Sequence, residues 1–157
     1  RAEHSDSLVV AALRTVIHLV GDMHCVARIR FEDIPYSENF TFYRSNGKSM
    51  NKNKSHKTTW WKLWSKWYFD IHAAFSPEMF AEEIRLCQGE KFGEYVHGTP
   101  RTWVEDMGRV ARPLIEYIKP EEVLDSATSY NWELIHEQCL AKASVRLAVL
   151  LNDIFGK

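Results

Sequence analysis

His18 and Asp22 are the pair of residues best suited by type and spacing to carry out chemistry. In a helix they lie four positions apart, so their side chains project from one face about one turn apart. Imidazole nitrogen and carboxylate oxygen commonly bind zinc together. Cys25 follows three positions later and could face the same way. The spacing predicts either a pair of metal ligands or an ordinary hydrogen bond between the two side chains.

Gly21 lies between these two residues, in the middle of the predicted helix. A glycine at such a position costs roughly 1 kcal/mol of helix stability relative to alanine. Its presence therefore indicates that a metal ion or another backbone approaches the helix closely at this point.

Two separated motifs carry a more specific signal. Residues 18–24 read His-Leu-Val-Gly-Asp-Met-His, and residues 143–155 read Ala-Ser-Val-Arg-Leu-Ala-Val-Leu-Leu-Asn-Asp-Ile-Phe. They resemble two motifs of the S1-P1 nuclease family, His-apolar-apolar-Gly-Asp-apolar-His and Ala-Gly-x-Arg-Leu-Ala-x-x-Leu-Asn-x-Ile-Phe. Between them, Trp103-Val104-Glu105 resembles the family's Trp-Ala-x-Glu. Order and spacing agree from about Ser7 to Phe155.

The resemblance implies an all-α fold, a multi-helix bundle like those of zinc phospholipase C and P1 nuclease. Family members use three zinc ions to hydrolyse phosphodiester bonds in single-stranded nucleic acid, and they release 3′-phosphates from nucleotides. A zinc-bound water is the nucleophile, and the metal ions stabilise the charge of the transition state. By this resemblance His18 matches a ligand of the buried zinc, and Asp22 matches the carboxylate that serves a second zinc in the paired site.

Three other ligand positions depart from the family pattern. The closing histidine of the family's Gln-Pro-Leu-His falls on Arg28. Trp61 and Ser65 occupy the histidine and aspartate positions of its Asn-Leu-His-x-apolar-Trp-Asp helix, whose structural tryptophan is matched by Trp64. Tryptophan and serine do not replace these zinc ligands, and Arg28 puts a cation where a cation should bind. All protein ligands of the third zinc are therefore predicted to be lost.

The remaining family ligands precede the region matched by Ser7, so the chain is predicted to be the C-terminal half of a nuclease-like domain. Two ligands bind zinc poorly, because catalytic sites take at least three from the protein. We expect zero or one zinc ion in this chain. The favoured interpretation is a catalytically degenerate interaction or structural module, paired with a separate N-terminal half or another protein. The alternative is an active zinc-dependent endonuclease for single-stranded nucleic acid, with a rebuilt or partner-completed metal site.

The tryptophan-rich segment is predicted to place some side chains in the core and others at the surface. Three tryptophans share one helix face and are expected in the core, namely Trp60, Trp64 and Trp67. Trp61 points elsewhere, with Lys62 and Lys66 alongside. An aromatic ring with basic neighbours could stack on nucleic-acid bases or anchor a protein partner. The loss of the metal ligands favours the protein partner. Glu82 and Glu83 are interpreted as solvated helix charges.

Apolar periodicity predicts a single domain, residues 1–157, of about five helices with a short hairpin or irregular insertion. Ser76-Pro77 and Thr99-Pro100 each place a capping residue before a proline, which is typical of a helix start. The hairpin is expected where residues 40–43 precede Asn46-Gly47. Helices are expected over about 7–28, 58–74, 77–88, 100–118 and 130–155.

Composition limits the class of protein further. The net charge of −1 gives no global attraction to nucleic acid or an anionic membrane, and no apolar run reaches the roughly 18–20 residues of a membrane span. A polar start without Met predicts a processed piece. Three cysteines indicate buried thiols, or one bridge with one cysteine left for a partner chain. Glycosylation triplets at Asn39 and Asn53 favour the secretory route and an extracellular or lumenal location.

Overall fold

The structure is a computed structural model that describes residues 6–34, 40–45, 47 and 50–156. It is mostly helical, at 72%, as predicted. In the described residues, no helix combines the length and apolar character needed to cross a membrane. The helices are α1 (Asp6–Met23), α2 (Trp60–Lys62), a π-helical segment (Leu63–Trp67), α3 (Tyr68–Ile71), α4 (Pro77–Gln88), α5 (Phe92–Tyr95), α6 (Pro100–Tyr117) and α7 (Ser126–Phe155). Because α2, the π-helical segment and α3 are continuous, the described residues form a bundle of five helices, and α5 is a single turn.

Side-chain caps set the starts of the later helices. The Ser76 hydroxyl accepts a hydrogen bond from the third residue of its helix, and Pro77 occupies the first turn of α4. Thr99 caps α6 in the same way, with a reciprocal bond from its backbone N–H to a side chain in the first turn. Both predicted starts are confirmed. Asp125 caps α7, which therefore begins at Ser126, earlier than the periodicity predicted.

Helix α1 ends at Met23 and does not reach Arg28. The Nδ1 atom of His24 lies 2.7 Å from the carbonyl oxygen of Val20, the acceptor that the backbone of His24 would use in a continuing helix. The backbone N–H of His24 donates to the carbonyl of Gly21 instead, at 3.1 Å. This local competition ends the helix. The chain then makes a short 3₁₀ turn, Val26–Arg28.

A small mixed sheet makes the all-α prediction incomplete. Strand β1 (Thr41–Arg44) pairs antiparallel with β2 (His56–Thr59) and parallel with β3 (Val123–Leu124). A hairpin is thus present, but it is not the short one predicted: its second strand follows a long connection with a 3₁₀ turn, Lys52–Lys54, and includes Thr58 and Thr59, which were predicted to be helical. Asn39 and Asn46 lie outside the described residues. Strand β3 was not predicted, because only two residues form it and they lie between helices.

The core is aromatic and lies between the 60–71 helix, α6, α7 and β1. The rings of Trp60, Trp64 and Trp132 contact one another with centroids 5.6–5.8 Å apart. Phe42 of β1 is fully buried against this cluster. Trp60 and Trp64 are thus in the core as predicted, whereas Trp67 is only partly buried at its edge.

Candidate functional site

His18 and Asp22 lie one turn apart on the outer surface of α1. The Nε2 atom of His18 is 3.4 Å from Oδ2 of Asp22. The His18 side chain is 69% exposed and the Asp22 side chain 35% exposed. The predicted proximity is therefore present, but it follows from the helix alone. Among the described residues, no third histidine, cysteine or carboxylate lies close enough to this pair to share a metal ion with it.

Arg28 lies against the same carboxylate. Its Nε atom is 3.4 Å from Oδ1 of Asp22, and its guanidinium carbon lies 4.3 Å from the centre of the Trp61 ring. Three positions singled out from the sequence thus meet although they lie on different elements, namely Asp22, Arg28 and Trp61. The guanidinium therefore places a positive charge beside the Asp22 carboxylate.

Ser65 is engaged within its own helix. Its hydroxyl donates to the carbonyl of Trp61 at 2.7 Å, a backbone contact that serine often makes inside a helix. Ser65 lies in the π-helical segment. Such segments often occur at functional sites. Here the Ser65 hydroxyl is committed to the backbone carbonyl of Trp61.

Gly21 does not mediate close packing in the described part of the chain. Apart from its own helix, no atom lies within 4 Å of the position that a Cβ would occupy. The expected close approach of another backbone is therefore not made by these residues. The helix surface at Gly21 is open.

The predicted surface of Trp61, Lys62 and Lys66 is divided. Trp61 faces Arg28, whereas the two lysines line a separate groove of about 260 Å³. Trp67 lines that groove instead, with the Arg44 guanidinium 4.2 Å from its ring centre. The whole lining is Arg44, His56, Lys57, Thr58, Lys62, Lys66, Trp67 and Asp70. Sequence reasoning missed Arg44 and Lys57, because only strand pairing brings them to the lysines of the helix.

A buried polar network joins the two sequence motifs. Nη1 of Arg146 on α7 lies 2.8 Å from Nε2 of His24. Because Nδ1 of His24 faces the Val20 carbonyl and donates to it, Nε2 is the acceptor and His24 is neutral. Arg146 also donates to Asp106 on α6 at 3.1 Å, and Lys142 donates to the same carboxylate at 2.8 Å.

Burial and charge adjust the pKa values in this network. Burial lowers the pKa of His24, and the neighbouring Arg146 lowers it further. Burial opposes ionisation of Asp106, but hydrogen bonds from Lys142 and Arg146 outweigh it and lower the pKa of that carboxyl group. The network is thus a neutral imidazole, a carboxylate and two cations. It fixes α1, α6 and α7 together, and it is a structural element that sequence reasoning missed.

Helix α1 leaves most of its apolar surface uncovered. Val20 is its one buried residue, and the structure describes all of its residues. Leu8 is 61% exposed, and Leu19 and Ile17 are also exposed. The first turns of α1 and the end of α7 border an apolar groove of about 400 Å³, lined by Leu8, Val9, Ala12, Leu13, Val16, Leu151, Ile154 and Phe155.

The cysteines differ from the expectation of three buried thiols. All three lie in the described part of the chain and none forms a disulfide. Cys139 is buried, Cys25 is partly buried, and Cys87 is exposed. Glu83 also differs from the prediction of a solvated charge, because it groups with Cys87 and Glu137.

Comparisons of this chain with models of protein families, with curated proteins and with solved structures give no match.

Proposed function

We propose that this chain is a catalytically degenerate relative of the S1-P1 nucleases and that it acts as an interaction module, paired with a separate N-terminal half. The observation that carries the proposal is the surface of α1. This helix has a broad apolar face, yet Val20 alone among its described residues is buried. The apolar face of a helix is normally packed against another element. A partner that covers α1 would bury this surface.

The surroundings of Asp22 support the loss of catalysis. A metal ion bound to this carboxylate would lie within a few ångströms of the Arg28 guanidinium, which contacts both Asp22 and the Trp61 ring. Like charges at such distances repel each other. The side chain of Arg28 can leave only by giving up both contacts. Arg28 therefore competes with a metal ion for Asp22.

The partner that fits this surface has an apolar helical face. The groove between α1 and α7 is almost entirely apolar in its lining, with Leu8 at one side and Ile154 at the other. Gly21 leaves the outer face of α1 open to close backbone approach. A second nuclease-like half would supply such a face.

Charge substitutions in the groove test the interaction. In Leu8→Glu and Ile154→Glu, a buried carboxylate would replace apolar contact, so partner affinity should fall at least about 30-fold. Leu86→Glu is the matched control, since Leu86 is 68% exposed on α4 outside the groove. Tagged variants would be mixed with the polypeptide that co-purifies with the native protein, identified by intact-mass analysis. Equal affinities for all three variants, or no co-purifying polypeptide, would argue against the proposal.

The phospholipase C/P1 nuclease-like arrangement of the bundle is part of the same proposal. It is supported by the bond between His24 and Arg146, one from each family motif. If the arrangement is correct, the triple variant Arg28→His/Trp61→His/Ser65→Asp should gain one zinc site, measured by titration of the metal-free protein. Its control changes nearby positions to the same residue types: Arg30→His/Lys62→His/Lys66→Asp. Absence of zinc binding by the first variant, while it remains folded, contradicts the assignment.

An active nuclease completed by its partner is the second candidate. It is favoured by His18 and Asp22, which remain 3.4 Å apart and exposed on the helix that a partner would cover. The test is hydrolysis of a single-stranded DNA oligonucleotide by the native complex with added zinc. Turnover that disappears in His18→Ala and Asp22→Ala, but persists in Asp70→Ala, would establish this candidate over the degenerate one. No turnover by the zinc-loaded complex excludes it.

A secretory location is proposed with this function. Asn53, the acceptor of one glycosylation triplet, is exposed in the 3₁₀ turn between β1 and β2. An exposed turn is accessible to the glycosylation machinery, which supports an extracellular or lumenal location.

A further inference from the structure

Three potential metal ligands meet between α4 and α7, at residues that do not line the proposed partner groove. Glu83 and Cys87 are one helical turn apart on α4 and face Glu137 on α7. One ligand atom from each residue lies within 4.8 Å of the other two. A single ion placed among them could contact all three after small side-chain movements, because zinc–sulfur and zinc–oxygen bonds are about 2.3 and 2.0–2.2 Å long.

Glu137 supplies the independent sign that a ligand belongs here. It is 5% exposed, and its Oε2 atom is buried without a hydrogen-bond partner. Its other oxygen, Oε1, accepts a bond from the Tyr68 hydroxyl at 3.4 Å, which orients the carboxylate. Buried carboxylates are usually paired or bound to metal ions. Among the residues that the structure describes, neither Glu83 nor Glu137 forms an ion pair with lysine or arginine.

We propose that Glu83, Cys87 and Glu137 bind a divalent transition-metal ion, with zinc as the best match. Cysteine sulfur favours zinc over magnesium and calcium, and those two ions require more oxygen ligands than this cluster offers. Three protein ligands leave one position of a tetrahedral zinc for water. Cys87 is exposed, so this position would be open to solvent.

The electrostatic environment agrees with this assignment. Burial raises the pKa of Glu137, and the nearby charges of Glu83 and Glu133 raise it further. Desolvation raises the pKa of the Cys87 thiol, and the negative charges of Glu137 and Glu83 raise it further. A bound cation would reverse these effects, and the thiol would release its proton to the solvent as the metal–sulfur bond forms. Metal affinity should therefore increase with pH.

Titration of the metal-free, reduced chain with Zn²⁺ and Co²⁺ tests the proposal. We expect one ion per chain in calorimetry and, with Co²⁺, a thiolate-to-metal absorption band. Cys87→Ser should abolish the band, and Glu83→Gln and Glu137→Gln should each weaken binding at least about tenfold, since even residues that only orient a metal ligand have effects of this size.

Matched variants separate this site from nonspecific binding and from the pair on α1. Cys25→Ser removes another thiol, and Glu82→Gln removes an exposed carboxylate that pairs with Arg85. Both should bind zinc like the wild type, as should the double variant His18→Ala/Asp22→Ala. The proposed interaction function can therefore fail while this site survives, and the reverse also holds.

Thermal unfolding gives a readout for variants that fold poorly. Zinc should raise the melting temperature of the wild-type chain but not that of Cys87→Ser, whose altered residue is exposed and should not disturb the fold. Unchanged zinc affinity in Cys87→Ser would overturn the proposal. Absence of zinc binding by the wild type, or loss of binding in His18→Ala/Asp22→Ala alone, would also overturn it.

Discussion

His136 should make the stability of the fold depend on pH between about 6.5 and 4. Its ring is stacked 4.7 Å from the Tyr68 ring and 5.8 Å from the Trp64 ring, centre to centre, and the residue is only 7% exposed. Burial, assisted by the charge of His72, lowers the pKa of His136 to about 4. The folded protein therefore holds this imidazole neutral under conditions in which the unfolded chain binds a proton.

The sign and size of the effect follow from the two pKa values. Above pH 6.5 neither state is protonated at this residue, and its contribution is constant. Between pH 6.5 and about 4 the unfolded state alone gains the proton, so the free energy of unfolding falls as the pH falls. At pH 5 the loss is about 2 kcal/mol, and it approaches about 3 kcal/mol at pH 4, at 1.36 kcal/mol per pKa unit.

The variant His136→Phe isolates this contribution. Phenylalanine preserves a stacked ring but has no proton to bind. Urea unfolding followed by tryptophan fluorescence at pH 7.5 and 5.0 gives the free energy of unfolding of each protein at each pH. The wild type should lose about 2 kcal/mol more than the variant, which corresponds to a midpoint shift of about 1 M urea.

An exposed histidine provides the control. His56→Gln also removes one histidine but leaves the stack of Tyr68, His136 and Trp64 intact. Its free energy of unfolding should depend on pH as that of the wild type does. If His136→Phe loses as much stability as the wild type between pH 7.5 and 5.0, the neutral, buried state assigned to His136 is incorrect.

Three further outcomes are expected. Arg146→Leu should destabilise the fold by about 3 kcal/mol in urea unfolding, because it removes a buried cation from Asp106. Arg109→Leu loses only an exposed contact to the same carboxylate and should cost under about 0.5 kcal/mol. Equal losses of stability in the two variants would contradict the role assigned to burial. Thr99→Ala should cost about 1 kcal/mol by removing the cap of α6, and an unchanged unfolding midpoint would contradict that role. Protein from a secretory host should lose mass on glycosidase treatment, and Asn53→Gln should lose the glycan at the turn between β1 and β2; an unmodified Asn53 peptide in mass spectrometry would count against the secretory location.

Local rules placed much of the fold correctly. The starts of α4 and α6 were readable because Ser76 and Thr99 satisfy backbone N–H groups within three residues, which is a purely local interaction. The end of α1 was not readable, because it depends on how His24 is held. The imidazole bonds to the Val20 carbonyl on one side and to an arginine more than a hundred residues away on the other.

Some contacts at the proposed sites were also predictable from local sequence, and others were not. His18 and Asp22 were predictable as neighbours, because four positions along a helix fix their separation whatever the rest of the chain does. The meeting of Arg28 with Trp61 was not predictable, since it depends on the turn after α1 and on the packing of a helix that begins thirty residues later.

Which polar groups share an environment depends on the packing of the whole chain. The helical periodicity, the caps of α4 and α6 and the two motifs are legible in the sequence, because each depends on residues within a few positions of one another. Long-range packing placed Glu83 and Cys87 against the buried Glu137 and left α1 exposed. Burial and charge proximity are properties of the assembled helices, and no local pattern contains them.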